Sequence, residues 1–267
     1  MKNLACIVFL FFLFLNYQAQ SQEFQFREKE NNAFETGEML KYKVYYESMI
    51  TGKVNAGTAT LDVKNSKRRF SNREVYHIVG VGKSNPAFDM FFKVRDRFET
   101  YMDKQGLFPH LFLRRTKEGG YVYNDEVYFD HQTNMAKSTR ATKNISPYIQ
   151  DIVSAVYYAR TLSADTLKKG DRLSVNFFLD DSAYVSVIQY EGKQNVETEL
   201  GVFRCLTFKP MVATGEVFSN PYPMTLWITD DENKVPILLK SAVIVGSVKM
   251  ELIRYSGLRN PIESKIE

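Results

Sequence analysis

Single-residue alternation of apolar and polar side chains constrains this chain more than any other feature, because only a pleated strand sends successive side chains to opposite faces. Leu40, Tyr42, Val44 and Tyr46 interleave with Lys41, Lys43, Tyr45 and Glu47, which predicts a half-buried strand over 39–47. Ala59, Leu61 and Val63 repeat the pattern, a basic stretch from Lys64 to Arg69 makes a polar tip, and 75–82 returns as the second arm of a hairpin. Phe92, Val94, Phe98 and Met102 oppose Lys93, Arg95, Arg97 and Glu99, and the same parity puts Asp96 on the apolar side. Further strands are predicted over 111–115 and 121–129, and period two resumes later at Leu173, Val175, Phe177 and Leu179, at Val185 and Val187, at Val202, Leu206 and Phe208, at Leu226 and Ile228, and at Val248, Met250 and Leu252. The 16 Tyr and 20 Phe suit such half-buried pleated surfaces.

Midway the period changes. Ile149, Ile152, Val153, Val156, Tyr157 and Arg160 recur at spacings of three and four, which predicts one helix, with Ser146 as its cap and Pro147 in its first turn. The Asp180-Asp181 and Asp230-Asp231 pairs sit between strand runs and read as turns. Strands at regular spacing joined by short turns predict a mostly β fold: a large curved antiparallel sheet or half-open β-barrel with one central helix packed on it. No linker or repeat interrupts 37–257, which reads as a single β-rich domain, with 258–267 as a C-terminal tail.

The first residues read as an export leader. Lys2 precedes an apolar run from Leu4 to Leu15, and polar residues follow to Gln22, with Ala19 and Ser21 near the expected cut. The run is shorter than the roughly 20 residues that span a bilayer, so the expectation is a cleaved signal peptide over 1–21 and no transmembrane segment after cleavage. Cys6 lies before the apolar run and leaves with the leader, which makes Cys205 a lone, buried small hydrophobe. The polar segment 22–36 has no sustained apolar period and reads as a flexible lead-in.

Several chemistries lack their residues. A net charge of +4 makes no electrostatic case for nucleic acid. Gly82-Lys83-Ser84 lacks the first glycine of a phosphate loop and lies in a strand pattern, no nucleophile elbow occurs, and His77, His110 and His131 are far apart in sequence. No cofactor and no metal is expected. Carboxylates are the one acid/base class in supply, and Asp96 among apolar neighbours is the one to test. Trp227, the single tryptophan, could be an aromatic platform for a sugar or lipid chain, and Lys64, Lys67, Arg68 and Arg69 form a solvated basic tip.

Three stretches carry a resemblance. The first is Gly37-Glu38-Met39-Leu40-Lys41-Tyr42-Lys43-Val44-Tyr45-Tyr46, followed by Gly57-Thr58-Ala59-Thr60-Leu61. The second is Gln150-Asp151-Ile152-Val153-Ser154-Ala155-Val156-Tyr157-Tyr158-Ala159-Arg160. The third is Leu226-Trp227-Ile228-Thr229-Asp230-Asp231, through Val235-Pro236 to Gly246-Ser247-Val248. Together they resemble the secreted bacterial family known as domain of unknown function 3108, over about Phe34 to Gly257. The last stretch is also similar, more distantly, to periplasmic lipoprotein-carrier half-barrels. The resemblance implies export to the periplasm or envelope of a Gram-negative bacterium and brings no catalytic residues. The expected function is non-catalytic: binding a hydrophobic or amphipathic ligand such as lipid within the curved sheet, with Phe92, Asp96, Ile152, Val156, Tyr157 and Trp227 as candidate ligand-binding residues. The alternatives are an assembly module for another envelope protein or a polysaccharide, and a carboxylate-dependent envelope hydrolase.

Overall fold

The structure, a computed structural model, describes residues 24–211, 223–243 and 245–266. The expected leader therefore lies outside the described residues. Strands β1 (Met39–Ser48), β2 (Gly52–Phe70), β3 (Arg73–Ser84), β4 (Arg95–Asp103), β5 (Pro109–Glu118), β6 (Tyr121–Asp130), β7 (Met135–Lys137) and β8 (Thr142–Asn144) form a meander. Helix α1 (Ile152–Arg160) follows. A second meander comprises β9 (Arg172–Leu179), β10 (Ser182–Thr198), β11 (Gly201–Pro210), β12 (Met224–Thr229), β13 (Pro236–Ala242) and β14 (Ser247–Ser256). The first wing runs outward from β1 to β8, the helix carries the chain across to the opposite edge, and the second wing runs back inward until β14 pairs antiparallel with β1. The result is one 14-stranded antiparallel sheet, not closed.

Helix α1 packs on β3 and β4 of one wing and on β9 at the far edge of the other, which a flat sheet could not allow. The curl protects the β9 edge. Gln150, just before the helix, bonds to it through its own amide to Asn176 O (2.9 Å) and its carbonyl to the Phe178 amide (2.7 Å). Inside the first wing, Val63, Ile78, Thr100, Phe112 and Val127 stand directly opposite one another across β2 to β6 as a continuous buried row. This row faces the helix, since the Thr100 hydroxyl donates to Asp151 Oδ2 at 2.5 Å.

Three expectations are corrected. The helix begins later than its sequence signals suggest: Tyr148 is held at a left-handed φ of 56° and Gln150 is bonded to β9, so neither Ser146 nor Ile149 joins the helix. Asp151 is the cap, accepting from the Val153 and Ser154 amides while the Ser154 hydroxyl accepts from the Asp151 amide. Second, the basic stretch is not a tip: β2 continues through it to Phe70, and the turn is made by Ser71 and Asn72 at φ 47° and 62°.

Third, the described part of the lead-in is docked. Phe34 is fully buried between the Tyr76 and Tyr157 rings, Phe26 stacks on Phe108, and the Arg27 guanidinium reaches the Gly106 and Leu107 carbonyls. These anchors lack a period because the segment lies over the end of the sheet without pairing into it. The C-terminal tail is docked as well, through Arg204 N to Ser264 O (2.8 Å) and Ile266 N to Val202 O (2.9 Å).

Candidate functional site

Residues three and four apart share a helix face, and in α1 the two faces carry side chains of different size. Val153 and Tyr157 turn into the first wing and join its buried core with Ile78, Met102 and Phe112. Ile152, Ala155, Val156 and Ala159 face the second wing across an apolar cavity of about 260 Å³. Its far wall is the inner surface of β9 to β12, including Leu173, Val175, Ile188, Phe208, Leu226 and Ile228. Arg160, Ala164 and Lys234 bound the cavity where it meets a polar cleft that Lys29, Glu30 and Asp165 also line.

Arg160 ties four segments together at that boundary. Its guanidinium makes a bidentate pair with Glu38 (2.6 and 2.7 Å) and donates to the Ala33 and Asn233 carbonyls, both at 3.0 Å. Burial works against its charge, and the Glu38 carboxylate more than restores it, so its pKa rises. At the other end of the helix, burial pushes the Asp151 carboxyl up to about 6 despite hydrogen bonds from Thr100 and the cap amides.

Of the six residues singled out in the sequence, the structure brings Ile152 and Val156 together in the cavity wall. The other four do not line it. Tyr157 is fully buried on the opposite helix face. Trp227 lies between the wall residues Leu226 and Ile228 and so points to the other side of β12, where Lys240 Nζ sits 5.8 Å from its ring centre. Phe92 is half exposed in the loop between β3 and β4, beside Gly119. Asp96 is buried on the inner face of β4, where its Oδ1 accepts the Lys117 amide at 3.0 Å. Burial, together with the neighbouring Glu118 carboxyl, pushes Asp96 up to about 6.

Sequence reasoning missed Leu173, Phe208 and Leu226 as wall residues, although their alternation already assigned them to one face of their strands, and it picked the wrong face of β10, where Ile188 and not Val185 or Val187 turns to the cavity. It also left His110 and His131 apart. Folding brings their rings to 6.3 Å, but burial pushes His131 down to about 4 and its Nε2 faces the Pro109 carbonyl at 2.7 Å. Cys205 is fully buried, and burial pushes its thiol up to about 12, so it is an inert hydrophobe. Asp180 and Asp181 form the β9–β10 turn at φ 49° and 58° and pair with Arg114 and Arg140. Among the described residues no group of three or more His, Cys, Asp or Glu is placed to hold a metal ion, and no helix is long and apolar enough to cross a membrane.

A solved beta-barrel-like protein of domain of unknown function DUF1849 from Brucella abortus is similar in fold, with a TM-score of 0.57 at 10% identity over 84% of this chain and 99% of that one. No curated protein matches the sequence. The family model for Protein of unknown function (DUF3108) matches residues 41–253, which reaches from β1 into β14 and takes in the helix and every wall strand of the cavity. The chain belongs to the DUF3108 family.

Proposed function

We propose that this protein is a non-catalytic, exported cell-envelope protein that holds a hydrophobic or amphipathic ligand, such as a lipid chain, between α1 and the inner face of β9 to β12. The observation that carries this reading is the cavity itself: about 260 Å³ walled by alanine, leucine, isoleucine, valine and phenylalanine side chains. The cavity opens to solvent beside the half-exposed Val156, which gives an apolar guest a way in, and each buried methylene of such a guest contributes about 0.8 kcal/mol. The cleft beyond the cavity mixes Lys29 and Lys234 with Glu30, Asp165, Asp231 and Glu232, so the support for this reading is the apolar wall and not a charge for the head. Export rests on the leader pattern at the start of the chain.

Native mass spectrometry of protein purified from an envelope fraction without detergent tests the proposal, with an organically extracted sample beside it. The expected result is a discrete extra mass that extraction removes and lipid analysis identifies. A bare monomer mass in both samples would reject the ligand-holding reading.

A further inference from the structure

We infer that one end of the sheet docks on an anionic phospholipid surface. The end in question is where β1 turns into β2, and four neighbouring connections place large apolar side chains there. Met49 and Ile50, in the β1–β2 turn, are 104% and 92% exposed. Met90 and Phe91, in and after the short 3-10 turn Phe88–Met90 between β3 and β4, are 85% and 82% exposed, and Phe92 follows them. Val245 projects from the β13–β14 turn, and Tyr121 and Val122 open β6 after the β5–β6 turn.

The four connections are joined into one rim. Asn85 donates to the Asn55 carbonyl at 2.5 Å, and the Tyr46 ring lies 6.2 Å from Phe88. The Tyr46 hydroxyl donates to Val245 O at 2.7 Å, and Gly119 N donates to Lys93 O at 2.8 Å. These exposed apolar tips belong to none of the buried clusters of the core. Scattered singly they would need no explanation, but here eight gather along one end of the sheet.

Charge selects the occupant. Lys53, Lys83, Lys93 and Lys117 are exposed along the same rim, and none forms an ion pair among the described residues. Of the rim carboxylates, Asp89 is paired with Arg95 at 2.6 Å, Glu118 adjoins Asp96, and Glu47 stands opposite Lys53 in the β1–β2 register, so Lys83, Lys93 and Lys117 carry the excess positive charge. Apolar tips that enter the acyl boundary, backed by free lysines at headgroup depth, are what a surface of anionic lipid attracts. The rim and the ligand cavity are separate observations, although the cavity wall extends to Pro210, the last residue of β11, at this same end.

The test is co-sedimentation of the protein, expressed from its full sequence and purified without detergent, with phosphatidylcholine vesicles and with vesicles that also contain phosphatidylglycerol. The expected result is pelleting with the anionic vesicles that weakens with salt. The double substitution Ile50→Asp, Phe91→Asp should lower partitioning about tenfold or more, and Lys53→Glu with Lys93→Glu should lower it severalfold. Phe91→Trp supplies a second readout, with emission quenched by brominated acyl chains while the buried-face Trp227 is not. No pelleting, or pelleting that these substitutions leave unchanged, overturns the inference. So does a concentration-dependent dimer that the rim substitutions abolish, because it would give the apolar surface to a second copy. The extra mass sought for the cavity is read on protein free of vesicles, so the two proposals fail separately.

Discussion

Removing Arg160 should destabilise this fold more than any other single side-chain change at the helix. The guanidinium is 3% exposed, its Glu38 partner is fully buried, and two carbonyls from different segments also depend on it. Arg160→Met leaves the Glu38 carboxylate buried without compensation, which costs about 3–5 kcal/mol, and strands the Ala33 and Asn233 carbonyls at about 1 kcal/mol each. The sum, about 5–7 kcal/mol, rivals the whole stability of an ordinary domain, about 5–15 kcal/mol. The assay is a double-mutant cycle by urea unfolding with Glu38→Leu, Arg160→Met and both together. The double variant should recover much of the loss because no buried charge remains, with a coupling of about 3 kcal/mol. Arg160→Lys should recover little, since one ammonium cannot serve both carboxylate oxygens and two carbonyls. Single variants that each cost less than about 1.5 kcal/mol, or a cycle with no coupling, would refute the reasoning.

Three other outcomes are expected. Asp151 titrates at about 6 when folded and 3.8 when not, so the folded state holds the extra proton between those values and stability falls as pH rises through them. The Asp151 share of the fall is about 3 kcal/mol at most, and Asp151→Asn should remove that share in melts taken across the range, leaving the part due to Asp96, which is also pushed up to about 6. Thr207 Oγ1 is buried with no hydrogen-bond partner, so Thr207→Val should be neutral or stabilising by up to about 1 kcal/mol in the same urea assay. Val156→Trp fills the cavity from the exposed side of the helix, and native mass spectrometry should then show the bound mass lost with the melting temperature held or raised.

Local alternation made most strands legible and put Val63 on its inward face, whereas Ile78, Phe112 and Val127 lie in strands apolar on both parities and join that inward row only through cross-strand register. The pairing of β1 with β14 was not legible, because antiparallel partners more than 200 residues apart share no local pattern. Phe92 misled for a definite reason: its parity matches β4, but the strand starts at Arg95 and Phe92 belongs to the loop before it. Asp96 was placed on the correct face, while its partner, the Lys117 amide, comes from a neighbouring strand that parity cannot reveal. The anchors Phe26 and Phe34 went unread because they dock singly, and Tyr148 and Gln150 shortened the helix through contacts made far along the chain.

Tyr157 shows most clearly how the cavity arises. The helix is apolar on two sides, so spacing alone could not say which side is packed. The sizes of its residues could. Tyr157 and Val153 fill the space against the first wing, whereas Ala155 and Ala159 stop short of the second, whose wall residues Leu173, Ile188, Phe208 and Leu226 are themselves inward-facing and apolar. A protein interior closes gaps of this size when nothing keeps its walls apart, because unfilled space forfeits dispersion contacts. Here both walls are fixed from outside the gap: the helix by the Asp151 cap to Thr100 and by Arg160 to Glu38, the sheet by its own ladder. Small residues on the free helix face, between anchors at both of its ends, therefore leave the space open by construction, and this pairing of rigid walls with missing volume is the feature on which the proposed ligand site rests.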